Sequence, residues 1–243
     1  DQFRMSERLR AYLKKESRLN YTYSTDDHGF RRTVPYVDSN KQVLIIGDSV
    51  PFGVGVADEF TAASHLQGMV GKRYRIINAS VGGYDGQQAF SMAKKISNNT
   101  RFAGLIYVAC QNDFMRKDDW IQEANNVLAG IKSISERFNN NIVVVLQTYM
   151  EYNLRDIFLQ DGWKQKRIEK THVLRRELPS ICKEYGYEYY DWTNIVADFM
   201  VKEKSVFSRF ALYADHAHLS PLGNRLMAEK LFKIMEYKWQ GKT

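Results

Sequence analysis

VLIIGDSV, residues 43–50, begins as an unbroken apolar, β-branched run and ends at once in glycine, aspartate and serine. A run that is apolar on both faces suits a strand buried in a covered parallel sheet. Similar runs recur at YRII (74–77), GLIYVA (104–109), IVVVL (142–146) and YEYY (187–190). Helical periodicity fills the gaps, at about 61–71, 86–98, 119–138 and 165–185, and again at 221–238. Ser220 is the candidate N-cap of that last helix, with Pro221 at its first position. Alternation of this kind predicts an α/β fold, a doubly wound parallel sheet with right-handed crossovers.

In such sheets ligands lie beyond the carboxyl ends of the strands, so chemistry is sought just after each run. Gly47-Asp48-Ser49 follows the first run. Gly47 permits a tight turn that would leave Ser49 at the strand end among backbone N–H groups. A serine hydroxyl is a weak nucleophile that needs a base; the plainer role for Ser49 is to cap the next helix. Asn78-Ala79-Ser80-Val81-Gly82-Gly83 follows the second run. Its paired glycines can expose an N–H suited to an oxyanion, or simply make a turn. Gln111-Asn112-Asp113 follows the third. The Asn112 amide can donate into the same pocket, or these side chains can serve only the turn.

The remaining role falls to Asp215-His216-Ala217-His218, before the last helix. A carboxylate three residues ahead of a histidine can hold Nδ1 and leave Nε2 to take the serine proton. Asp215, His216 and His218 are also possible metal ligands, although no matching cluster lies upstream. Each signal is modest alone. Together they supply nucleophile, base, orienting carboxylate and oxyanion donors in one order along one sheet edge.

These segments resemble the blocks of the GDSL/SGNH hydrolase family. IIGDSV resembles the block that carries the nucleophile, Ser49; NASVGG resembles the second, with Gly83 at the oxyanion glycine and Gly82 as its neighbouring alternative. CQNDF is similar to the third block, G-x-N-D, and gives Asn112; DHAHLSPLGNRLMAE is similar to the block with D-x-x-H and gives Asp215 and His218. The resemblance spans about residues 43–115 and 213–230. It implies a flavodoxin-like five-stranded parallel sheet with helices on both faces. It also implies a triad of Ser49, Asp215 and His218, and an oxyanion hole from Ser49, Gly83 and Asn112. The expected activity is serine-dependent hydrolysis of an acyl ester, with O-acyl transfer and a catalytically inactive glycan-binding domain as alternatives. No cofactor and no metal are expected. The pattern departs from the family at Cys110, which stands where the third block has glycine, and a reactive thiol there is the sharper alternative to a small buried residue.

HGFRR (28–32), with GVGVADEF (53–60) after the GDS block, resembles SGNH proteins encoded with bacterial surface-polysaccharide genes. That resemblance implies an acyl group on a glycan and an exported or envelope location. Residues 1–42 are expected to form a helix (2–17) and an arm packed on the domain of residues 43–243. Residues 148–164 follow a strand and are expected to cover the site, with Tyr149, Tyr152, Arg155 and Trp163 as candidate substrate contacts.

The composition is globular, 44% hydrophobic and 26% charged, and 243 residues fit one large α/β domain or two small ones. Two cysteines are too few for a disulfide framework or a zinc site. The net charge of +7 comes without a zinc-finger spacing, an RNP-like motif or a dense basic block, so a nucleic-acid partner is not expected. No apolar stretch is long enough to span a bilayer. The numbering starts at Asp1 without an initiator methionine, which leaves room for an upstream signal or anchor.

Overall fold

Five strands, β1 (Gln42–Gly47), β2 (Arg75–Asn78), β3 (Gly104–Cys110), β4 (Ile142–Gln147) and β5 (Glu188–Asp191), form one sheet. They appear in a computed structural model that describes residues 21–114, 118–150 and 162–239. Every pairing is parallel and the order is β2-β1-β3-β4-β5. The chain steps outward from β1 to β2, then returns across β1 to β3. The winding therefore reverses between β1 and β3, which opens a crevice at their carboxyl ends.

The apolar runs behave as buried strands should. Val43, Ile45, Ile106, Val108, Val143 and Val145 face one layer. Leu44, Ile46, Leu105, Tyr107, Val144 and Leu146 face the other. Onto the first layer pack α2 (Ala62–Val70), α6 (Trp192–Lys202) and α7 (Pro221–Lys238). Onto the second pack α3 (Gly86–Ile96), α4 (Trp120–Ser133) and α5 (Gly162–Tyr185). A short helix, α1 (Ser49–Phe52), follows β1 directly. Each fully buried aliphatic side chain in these layers contributes about 1.5–3 kcal/mol of transfer free energy.

The cap of α7 is the one that the sequence signals. Ser220 Oγ accepts from the Gly223 N–H at 3.1 Å, and Pro221 opens α7. Asp85 and Gln88 close a reciprocal capping box on α3. Two differences have physical reasons. The periodicity at 119–138 predicts one helix, but α4 stops at Ser133 and Ser135–Phe138 is a 3-10 turn. That turn sends Phe138 into the core, where it stacks on Phe102 at 5.4 Å. Helix α6 lies outside the segments whose periodicity predicts a helix. Asp191 ends β5 and also caps α6 by accepting from the Thr193 N–H at 2.9 Å, so no loop residues separate the two elements.

Residues 21–41 run over the β2 edge, while residues 1–20 lie outside the described residues. Arg31 bridges Thr25 and Asn78 through its backbone. Its fully buried guanidinium donates to the Val56 carbonyl at 2.9 Å and pairs with Asp58 at 3.1 Å, and it lies against the rings of Tyr23 and Phe52, which meet edge to face. The outward N–H of Ile76 is taken by Gln67 Oε1 at 2.8 Å. An edge strand is thus blunted from two sides. No helix among the described residues is long and apolar enough to cross a membrane.

Candidate active site

Gly47 ends β1 with φ +149°, and a Cβ there would stand 2.5 Å from the Val108 carbonyl and 2.6 Å from Pro51 Cγ. Only glycine fits that close approach, and it lets the chain turn sharply into α1. The cap of α1 is Asp48, whose buried carboxylate accepts from the Val50 N–H at 2.9 Å. Ser49 is the first residue of α1, so its hydroxyl does not serve as the cap.

The loop after the 3-10 turn Val206–Leu212 folds back on itself. The Ala214 N–H donates to the His218 carbonyl at 2.8 Å, and Tyr213 bridges Leu219. This brings His218 to the crevice, although it lies 169 residues from Ser49 in sequence. Ser49 Oγ is 2.9 Å from His218 Nε2, and His218 Nδ1 is 2.7 Å from Asp215 Oδ2. An ionised carboxylate only accepts, so Nδ1 carries the proton and Nε2 presents a lone pair to the hydroxyl. Asp215 Oδ1 accepts from the backbone N–H groups of Ala217 (2.7 Å) and His218 (2.8 Å). Burial by itself would push this carboxyl up. The His218 ring, followed by the two backbone N–H groups, outweighs burial and holds it at about 2. His216, the rival base, is 58% exposed, stands 3.9 Å from Asp215 Oδ1 and packs edge-on against Tyr149.

The candidate oxyanion donors flank Ser49. Gly82 faces it, since a Cβ on Gly82 would come within 3.9 Å of Ser49 Cβ, and Gly83 follows with φ +82° and open space around it. The N–H groups of Ser49, Gly82 and Gly83 have no hydrogen-bond acceptor among the described residues. Asn112 lies in the turn after β3, and its Nδ2 donates to Asp48 Oδ2 at 3.1 Å. One amide hydrogen is thereby fixed on Asp48, and the other is left to donate elsewhere. The Asp48 link is a residue role that sequence reasoning missed. Its signal was its place in the GDS block, yet nothing in the spacing names Asn112 as its partner.

Beneath the site, burial and then the neighbouring Asp48 charge push the Asp113 carboxyl well up, while Tyr107 donates to it at 2.6 Å. Cys110 is fully buried and its thiol is pushed well up by burial, then by Asp48 and Asp113. It donates to Gln147 Oε1 at 2.7 Å. A thiol so placed has neither the thiolate character nor the access that reactivity requires. No group of three or more His, Cys, Asp or Glu among the described residues is arranged to hold a metal ion.

Of the candidate substrate contacts, Tyr149 stands beside His216, and its N–H donates to Gln111 Oε1 at 3.3 Å. Tyr152 and Arg155 lie outside the described residues, as does the side chain of Trp163. Most of the expected cover, residues 148–164, falls there too.

Residues 43–231 match the GDSL-like lipase/acylhydrolase family. Among curated proteins, none matches the chain in sequence. Solved structures share its fold. A lipolytic protein of the G-D-S-L family from Veillonella parvula superposes with TM-score 0.64 at 13% identity, over 81% of this chain and 99% of that one. An acetylxylan esterase from Geobacillus stearothermophilus, solved as a catalytic mutant, gives 0.60 at 16%, over 83% and 96%. A psychrotrophic esterase from Pseudoalteromonas sp., inhibited by monoethylphosphonate, gives 0.59 at 14%, over 83% and 99%.

Proposed function

The chain belongs to the GDSL-like lipase/acylhydrolase family, and on that premise we propose that Ser49, His218 and Asp215 carry out two-step hydrolysis of a short acyl ester borne by a carbohydrate. The observation that carries this reading is the relay of contacts from Ser49 Oγ to His218 Nε2 at 2.9 Å and from His218 Nδ1 to Asp215 at 2.7 Å. The family and fold make the chain an ester hydrolase; the residue roles, the acyl length and the glycan are our reading.

In the first step Ser49 Oγ attacks the ester carbonyl while its proton passes to Nε2. The carbonyl π pair moves onto oxygen, and the backbone N–H groups of Ser49 and Gly83 donate to that oxyanion together with the Asn112 amide. Collapse expels the sugar alkoxide, which takes the proton from Nε2. Water then adds to the acyl-enzyme through the same base, releasing the carboxylic acid and restoring the serine hydroxyl. Asp215 stabilises the imidazolium in both steps. Each oxyanion donor is worth roughly 3–4 kcal/mol in the transition state.

The acetylated-glycan reading is supported by the neighbour named as an acetylxylan esterase, which shares this fold, and by the polysaccharide-linked resemblance of HGFRR and GVGVADEF. Acyl release from aryl acetates and from acetylated xylan tests it. Wild type should turn over both, Ser49→Ala neither, and His216→Ala should retain most of the rate. Release that survives in Ser49→Ala contradicts the assignment. Acyl that leaves for an added sugar hydroxyl in preference to water would make the enzyme an O-acyltransferase using the same residues.

A further inference from the structure

We infer that Gln147 is a positioning residue for the loop that carries the acid–base pair, and that Cys110 completes its setting. Gln147 ends β4, is fully buried and stands opposite Cys110 in the sheet register. Its Nε2 donates to two carbonyls, Thr148 at 2.8 Å and Ala217 at 3.0 Å. Carbonyls only accept, so the amide nitrogen must face them and Oε1 must face the other way. There it meets the Cys110 thiol at 2.7 Å. The two carbonyls alone fix the amide orientation, and the Cys110 thiol, which also reaches Asp48, is the donor nearest Oε1.

The carbonyl that Gln147 holds belongs to Ala217, between Asp215 and His218, and the Ala217 N–H in turn donates to Asp215 Oδ1 at 2.7 Å. A second tie to the same loop comes from the Met150 N–H, which donates to the His216 carbonyl at 2.8 Å. At its other end the Gln147 amide reaches Cys110, the last residue of β3, directly before the turn that holds Asn112. One buried side chain thus spans from the strand end with the oxyanion asparagine to the loop with the base. With glycine at position 110, as the third family block has it, Oε1 would lose this donor. The departure at Cys110 and the glutamine at 147 therefore belong together. Displacing the loop by an ångström moves the His218 Nε2 off the Ser49 hydroxyl, and misplacements of that size cost up to about 100-fold in rate.

This inference rests on the serine-hydrolase reading, so rates are taken per site titrated by an aryl phosphonate. In Gln147→Met, kcat for an aryl acetate should fall roughly tenfold or more per titrated site with KM nearly unchanged. The downfield proton resonance of the His218–Asp215 hydrogen bond should broaden or shift. Cys110→Ser, which keeps a donor, should lose less than Cys110→Ala. A folded Gln147→Met with wild-type kcat per site and an unmoved resonance overturns the inference. Should that variant not fold, equal rates in Cys110→Ser and Cys110→Ala overturn it. A wild-type chain that the phosphonate leaves unlabelled overturns the serine-hydrolase reading instead, and the inference falls with it.

Discussion

Asp215 divides its work between two oxygens: one accepts from the His218 ring, the other from the backbone of the loop that holds that ring. Its carboxyl titrates lower in the folded chain than in the unfolded one. The stability it adds is therefore fully present above about pH 4, the unfolded value, and is lost as pH falls toward 2. Because the side chain is 48% exposed, solvent screening keeps this contribution near or below about 1 kcal/mol. Urea unfolding of wild type and Asp215→Asn should differ at pH 6 and converge near pH 2; a gap that persists at pH 2 contradicts the pairing. On activity the same substitution should cost roughly 10³–10⁴-fold in kcat, since an amide can hold the wrong tautomer. These residues were legible in the sequence because each block names its own side chain. Gln147 was not, since a glutamine at a strand end carries no signal until folding brings Ala217 beside it.

At the scale of elements, the turn from β1 into α1 decides where the hydroxyl stands. Gly47→Ala would force a Cβ against the Val108 carbonyl and Pro51 at a backbone angle that side chains rarely adopt. We expect a loss of about 1–3 kcal/mol, read from thermal unfolding, together with a drop in kcat as Ser49 shifts. Wild-type values of both would show that the turn has slack. The five strands could be read from their apolar runs because parallel strands buried on both faces have no polar side to break the pattern. Helix α6 could not, because Asp191 serves strand end and helix cap at once. The break in α4 was equally hidden, since Phe138 keeps the helical period while leaving the helix for the core.

Across the whole molecule, two apolar layers hold a sheet whose winding reverses where the chemistry sits. Leu105→Ala empties a fully buried position in the layer under α3, α4 and α5. It should cost about 2–5 kcal/mol in denaturant unfolding, while kcat per folded site changes little. The strand order was implied by the family resemblance rather than by hydrophobic pattern, because pattern fixes faces and not neighbours. What remained hidden was how the arm fits. Nothing in HGFRR announces that Arg31 is buried against the paired rings of Tyr23 and Phe52 with Asp58 as its counter-ion. The central claim is that folding joins the front of the domain to its back through one hydroxyl and one imidazole. Mass spectrometry of the folded protein after treatment with an aryl phosphonate tests this most directly. The account predicts a single adduct on the peptide containing Ser49, absent in Ser49→Ala and strongly slowed in His218→Ala. Labelling at another residue, or none on native protein, would contradict it.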